Sequence, residues 1–258
     1  MNILSVILVL FLLFNTAFAY NYRVETGMSY EYLSPHDVYG DWKGGYVRFY
    51  HRPSGNATYF LEFSAFSRKN PGEAFMGVFG LYKDWSPRLY TYSSISASTS
   101  SSYLPAFRLD HEFYFKLGVQ KNIVPSLGFT YIKYHDIHKD YIFYPGITYY
   151  GKGFVVTYKH FLNRSQPGSV YSSTDLVSLG IGQEGKGWIY IDVSYGKQAY
   201  LATHLTSPEE VKQNALNLSV KRIMWIKKDL ALSLGVSFFK LENGYEKYGF
   251  LAGFIKDF

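Results

Sequence analysis

Between residues 105 and 118 the sequence alternates so strictly that few folds remain open to it. Phe107, Leu109, His111, Phe113, Phe115 and Leu117 fall on one parity; Arg108, Asp110, Glu112, Tyr114 and Lys116 fall on the other. Successive side chains of an extended strand point to opposite faces, so the stretch predicts a strand with one apolar and one charged face. In water the apolar face needs a core to cover it. In a sheet closed across a bilayer it meets lipid, while the charged face lines a polar lumen.

The same period recurs along the chain. It is clear at 22–32 (Val24, Met28, Tyr30, Tyr32), 57–66 (Tyr59, Leu61, Phe63, Ala65) and 187–196 (Ile189, Ile191, Val193, Tyr195). It returns at 214–226, at 229–240 and in the final run Tyr248, Phe250, Ala252 and Phe254. Weaker segments are 42–52, 73–83, 88–98, 123–134, 140–150, 152–162 and 174–182. Together they predict fourteen strands, or twelve if two weak segments merge, and both are even counts of the kind single-chain bacterial barrels use. Pro53-Ser54-Gly55-Asn56, Gly151-Lys152-Gly153 and Lys227-Lys228-Asp229 read as tight turns, and 33–41, 163–173 and 197–213 as longer links. Short turns inside and longer loops outside are the barrel habit, which puts both termini on the periplasmic side.

Composition agrees. The 26 Tyr and 21 Phe exceed what a soluble core of this size needs, whereas a barrel places aromatics in girdles at both interfaces. Ile3 to Phe14, broken only by Ser5, is too short to span as a helix, and Ala17-Phe18-Ala19 supplies a small-x-small site. Residues 1–19 therefore read as a secretory signal, with the barrel occupying 20–258. The absence of Cys removes thiol chemistry and a lipoprotein anchor. A net charge of +6 suits anionic headgroups or an anionic solute; the scattered Lys and Arg do not make a nucleic-acid surface. The rival fold, a secreted β-sandwich or lipocalin-like barrel, gives the terminal aromatic Phe258 no special use. In a transmembrane barrel Phe250, Phe254 and Phe258 form a closure signal on the last strand, weakened by Lys256, whose stem is expected to snorkel.

Several stretches resemble the YaiO-type outer membrane β-barrel family. They are Leu104-Pro105-Ala106-Phe107, Gly128-Phe129-Thr130-Tyr131-Ile132-Lys133-Tyr134-His135-Asp136, Tyr149-Tyr150-Gly151 with Val156-Thr157-Tyr158-Lys159, and the pair of strands from Leu230 to Phe258. The likeness covers 100–258 well and 20–100 in pattern only. It implies an outer-membrane barrel, sometimes associated with envelope polysaccharide, and brings no catalytic residues.

The strand parities assign Arg48, Glu62, Arg108, Asp110, Glu112, Lys116, Lys159, Asp192 and Lys221 to the lumen. They are read either as ion pairs bracing the wall or as a selectivity constriction. Barrels of eight strands are filled by side chains and those of 16–18 leave a wide channel, so this size predicts a narrow pore. His135, Asp136, His138 and Asp140 cluster, but a metal site needs three or four converging ligands. His204, Ser207, Glu209 and Glu210 share a loop without a nucleophile-elbow motif, and a triad is a geometry rather than a composition. His111 and His160 fall on the lipid face. The run Ser98 to Ser102 reads as a link, and Gly180-Ile181-Gly182 and Gly185-Lys186-Gly187 as a strand end and a turn, so no nucleotide site is expected. The function expected is a non-enzymatic narrow channel for a saccharide or small charged solute, without cofactor or metal. The alternatives are a closed scaffold whose loops bind a partner, and a rim-active hydrolase. Outer-membrane lipid, lipopolysaccharide and the barrel-assembly machinery are the expected partners.

Overall fold

A computed structural model describes residues 21–69, 72–99, 101–183, 185–198 and 213–258. The expected signal 1–19 and the loop carrying His204, Ser207, Glu209 and Glu210 lie outside the described residues. Fourteen strands follow one another: β1 (Tyr22–Ser34), β2 (Asp41–Ser54), β3 (Ala57–Arg68), β4 (Gly72–Ser86), β5 (Leu89–Ser98), β6 (Phe107–Phe115) and β7 (Ile123–Lys133). They continue with β8 (Lys139–Gly151), β9 (Phe154–Gln166), β10 (Val170–Gln183), β11 (Gly187–Gln198), β12 (Gln213–Lys227), β13 (Leu230–Leu241) and β14 (Glu246–Asp257). A one-turn helix, α1 (His36–Tyr39), joins β1 to β2. Every strand pairs antiparallel with its chain neighbours, and β14 pairs with β1, so the sheet closes into a barrel.

Burial is inverted relative to a water-soluble domain. On β6, Asp110 and Glu112 are 7% and 2% exposed, while Leu109 and Phe113 on either side of them are 37% and 41% exposed. Phe63, Phe79, Ile95, Leu127, Val193 and Val236 continue this exposed apolar surface around the wall. A monomer in water rarely shows a contiguous apolar patch beyond a few hundred Å². Here the patch is the whole outer wall, which is the condition for residence in lipid, and the polar residues are the interior.

The ladder also sets the tilt. From Thr26 one hydrogen-bonded row runs through Val47, Phe63, Gly77, Ala97, Phe107, Lys133 and Lys139 to Gln166, one place beyond the Ser165–Val170 pair and so opposite Ser169. In the other direction it runs through Phe254, Leu232, Met224 and Gly187 to Gln183. Residues 169 and 183 of the same connection and strand differ by 14, which is the shear, equal to the strand number. That ratio corresponds to a strand tilt of about 36°. Side chains at one height then advance by one residue per strand, which places Glu25, Arg48, Tyr92, Glu112, Tyr190 and Lys221 at about one level.

Both ends of the described chain lie at one rim, where the Phe258 N–H donates to the Tyr22 carbonyl at 2.9 Å. Turns 55–56, 87–88, 152–153 and 228–229 share that rim, and α1 with the connections 101–106, 134–138 and 242–245 lie at the other. One expected link is corrected. Residues 163–173 do not form a long loop: β9 continues to Gln166 and β10 begins at Val170, leaving three residues. Gly168 (φ 88°) and Ser169 (φ 54°) turn the chain in the left-handed region. The polar run Asn163-Arg164-Ser165 resembles loop sequence only because two of its members face the lumen.

Candidate functional site

Inward side chains form three groups through the middle of the barrel. On β2, Arg48 hydrogen-bonds Glu62 of β3, lies 3.7 Å from Glu25 of β1, and donates to the Tyr50 hydroxyl at 3.0 Å. Its guanidinium also lies over the rings of Tyr46, Tyr50 and Phe60 at 5.5–5.8 Å. Ser64 donates to the second Glu62 oxygen at 2.8 Å, so this carboxylate is satisfied at both atoms.

The second group centres on β6. Arg108 binds Asp110 with contacts of 2.8 Å, and Thr130 and Ser94 donate to the same carboxylate at 2.6 and 3.1 Å. Lys159 of β9 reaches across β8 and β7 to Glu112 at 2.7 Å. The span is made by Gly128, which stands opposite Glu112 and Tyr144 in the ladder. A Cβ at Gly128 would lie 2.1 Å from the Tyr144 ring. With none there, the ring lies flat on the wall and Lys159 passes 5.2 Å from its centre. Tyr82, Tyr92, Tyr114 and Phe161 complete a cavity of about 300 Å³ over these charges. In the third group Ser178 and Ser219 donate to Asp192. Lys221 projects from β12 with its ammonium 5.4 Å from the Tyr190 ring, and no ion pair is formed by it among the described residues.

Lys116, just past β6, pairs with Asp84 at 3.2 Å near the terminal rim. Of the nine residues that parity assigned to the lumen, eight belong to these three groups and Lys116 stands apart from them. Parity alone missed their partners Glu25, Tyr50 and Tyr144, and the inward Asp140, which accepts from Tyr134, Asn163 and Ser165. The missed signal is the same alternation, with polar members on strands recognised by their apolar faces.

Aromatic side chains also gather at the loop rim. Arg68 at the end of β3 is sandwiched between Trp42 at 3.7 Å and Tyr103 at 3.9 Å. Tyr103 donates to the Gly72 carbonyl at 3.1 Å and packs with Leu104 on Ala74. Tyr245, whose burial pushes its hydroxyl up to about 12, touches Tyr39, Trp42 and Phe239.

The His-bearing candidates separate. His135 meets Ser98 at 3.2 Å, His138 meets Asp136 at 2.7 Å, and Asp140 turns inward on β8. No three His, Asp or Glu converge as metal ligands among the described residues. On the lipid face His111 shares a 2.7 Å hydrogen bond with Ser93, and His160 one of 2.7 Å with Asp175, which also accepts from Tyr158. Each pair satisfies polar atoms that lipid would leave bare. Among the described residues the first has no acid to orient the imidazole and the second no nucleophile. Phe250 and Phe254 stand outward opposite Tyr30 and Thr26, while Lys256 bonds Asp229 in the β12–β13 turn and lies 5.6 Å from the Phe258 ring.

A family model described as a YaiO membrane beta barrel domain matches residues 21–201. The match includes the first eighty residues, where the motifs alone showed only pattern, and stops short of the last strands. By structure the barrel is similar to the CymD monoaromatic hydrocarbon channel (TM-score 0.62, 8% identity, 93% of this chain and 89% of that one). It is also similar to an anion-selective porin from Comamonas acidovorans (0.51, 8%, 92% and 98%). A third likeness is to a bacterial polysaccharide outer membrane secretin (0.53, 7%, 94% and 100%). At these identities the likeness is one of fold. Compared by sequence with curated proteins, the chain matches none of them.

Proposed function

The chain belongs to the YaiO membrane beta barrel family, and from that premise we propose that this outer-membrane β-barrel is a narrow channel for a small charged or sugar-like solute. One observation carries the reading. The ion pairs of the mid-lumen run along the wall, between β1, β2 and β3, within β6, and from β9 to β6, and among the described residues none crosses to the opposite arc. A scaffold braced by its core would gain most from pairs across the lumen. Pairs along the wall leave alternating charge and aromatic rings facing the axis, a surface that suits a hydrated solute with hydroxyls and a charge. Porin-like relatives in fold favour a channel over an enzyme.

Single-channel recording of the refolded protein in planar bilayers tests this, with discrete steps expected. Lys221 is a mid-lumen cation that forms no ion pair among the described residues, so K221E is expected to move the reversal potential in a salt gradient toward cation selectivity. Steps whose selectivity ignores K221E would place the conducting path elsewhere.

The rim around Arg68 favours a second reading, a barrel closed at its mouth. If the wild type is silent and R68A/Y103A conducts, the mouth is a closure. If both are silent, the channel reading fails.

A further inference from the structure

The outer wall near the loop rim is not uniformly charged. Lys133, Lys139, Arg164 and Lys197 project outward from β7, β8, β9 and β11 at nearly the same height. The outward carboxylates on the strands of that rim, Asp41, Glu73 and Glu246, lie on the far arc, where Asp41 and Glu246 are held by His36 and Lys240, while Asp136, in the connection between Lys133 and Lys139, is held by His138. Between the cations lies a groove of about 470 Å³ on the outer surface. Its floor is Tyr141, Phe143 and Leu162, each more than 40% exposed; its edges are Arg164, Tyr171 and Lys197. Arg164 is steadied by Ser169 at 3.0 Å and lies 5.8 Å from the Tyr171 ring. Asp175, the outward carboxylate of β10, sits deeper and is occupied by His160 and Tyr158.

We infer that this groove is a binding site for the phosphorylated diglucosamine headgroup of a lipopolysaccharide. An apolar floor continuous with the lipid face takes an acyl chain. Two cations two strands apart, about 10 Å at the usual strand spacing, face an amphiphile carrying two phosphates on a rigid disaccharide. A glycerophospholipid carries one phosphate on a flexible stem and engages one cation at a time. An exposed Tyr171, 63% accessible, adds a ring face for a sugar. Arg presents a fork of donors matched to phosphate oxygens, and Lys a compact charge.

Native mass spectrometry of the refolded barrel tests the site with bis-phosphorylated lipid A, monophosphoryl lipid A and phosphatidylglycerol as probes. The order expected is bis-phosphorylated lipid A first, with R164Q/K197Q weakening it by about tenfold, the scale of roughly 1.4 kcal/mol. K43Q/K240Q on the far arc is expected to leave it unchanged. A heat-shift on gels shows that each variant is folded, so loss of binding is not loss of structure. Equal retention of phosphatidylglycerol overturns the assignment, as does competition by millimolar inorganic phosphate, as does indifference to R164Q/K197Q.

Discussion

At the scale of single residues, the interior depends on partners that the wall positions at a distance. Glu112 is nearly inaccessible and takes the ammonium of Lys159 from three strands away. Removing one member of such a pair leaves the other uncompensated, so E112Q is expected to cost about 3 kcal/mol in urea unfolding. A double change, E112Q/K159M, should recover most of that loss because no charge is stranded. G128V should cost a further 1–3 kcal/mol or so by displacing the Tyr144 ring. Equal unfolding midpoints for wild type and E112Q would mean that water in the lumen, and not Lys159, satisfies the carboxylate. Parity made Glu112 and Lys159 legible as inward residues. Their pairing was not legible, because it depends on the bare Gly128 between them and on the shear, neither of which is a property of either strand alone.

The connection 134–138 offers a residue-level test in pH. Partial burial pushes the Asp136 carboxyl up, but the His138 backbone N–H at 2.9 Å and its ring at 2.7 Å outweigh that and hold it below the ordinary carboxylate value. A lowered folded value means that its contribution is fully present above the unfolded value of about 3.9 and is lost as pH falls through the folded one. Carbon-detected NMR titration in micelles should therefore find Asp136 titrating low in the wild type and higher in H138A. An unchanged titration in H138A would assign the shift to the backbone bond alone. His135, Asp136, His138 and Asp140 cluster in the sequence, but the structure makes Asp136 and His138 a local clasp, since Asp140 belongs to the strand and faces the other way.

At the scale of elements, alternation predicted fourteen strands, or twelve, and the structure has fourteen; it did not say where each one stops. The β9–β10 turn shows why. Asn163 and Ser165 are polar because they serve Asp140 inside the lumen, and Arg164 is polar because it stands at the lipid–water boundary. A reading that equates polar with loop loses both strand ends. The turn itself rests on Gly168 at φ 88°, a conformation open to glycine at no steric cost. G168A is expected to cost about 1 kcal/mol or more, while G55A, with open space around it, should be close to neutral. Paired unfolding curves of the two variants compare them directly; equal losses would show that β9 and β10 tolerate a longer connection. Strand β14 carries the same lesson about context. Lys256, which weakened the closure signal as sequence, bonds Asp229 in the neighbouring turn, and the pair lies at the rim where charge meets water.

At the scale of the whole molecule, what the ladder leaves open is which rim faces outward. The asymmetry of the connections argues for one answer. The terminal rim is made mostly of tight turns, while the other carries α1, the tucked segment around Tyr103 and the clasp at 134–138, together with the outward Arg164 and Lys197. Both the channel and the lipid groove make sense if that rim lies outside. A charged side chain at mid-depth on the lipid face costs about 2–4 kcal/mol and falls toward zero at the interfaces. Arg164 and Lys197 are tolerable only at a boundary, whichever boundary it is, so stability alone does not decide orientation. Labelling does. Because the chain has no cysteine, single cysteines at Ile137 and at Asn56 report cleanly to a membrane-impermeant maleimide on intact cells. Ile137, 71% exposed at the loop rim, is expected to react, and Asn56 only after the cells are opened. The reverse pattern would put the termini outside, turn the mouth around Arg68 toward the periplasm, and remove the groove from the leaflet in which lipopolysaccharide resides. Conductance in a planar bilayer would survive that reversal, since it is indifferent to orientation, and the lipid assignment in the cell would not.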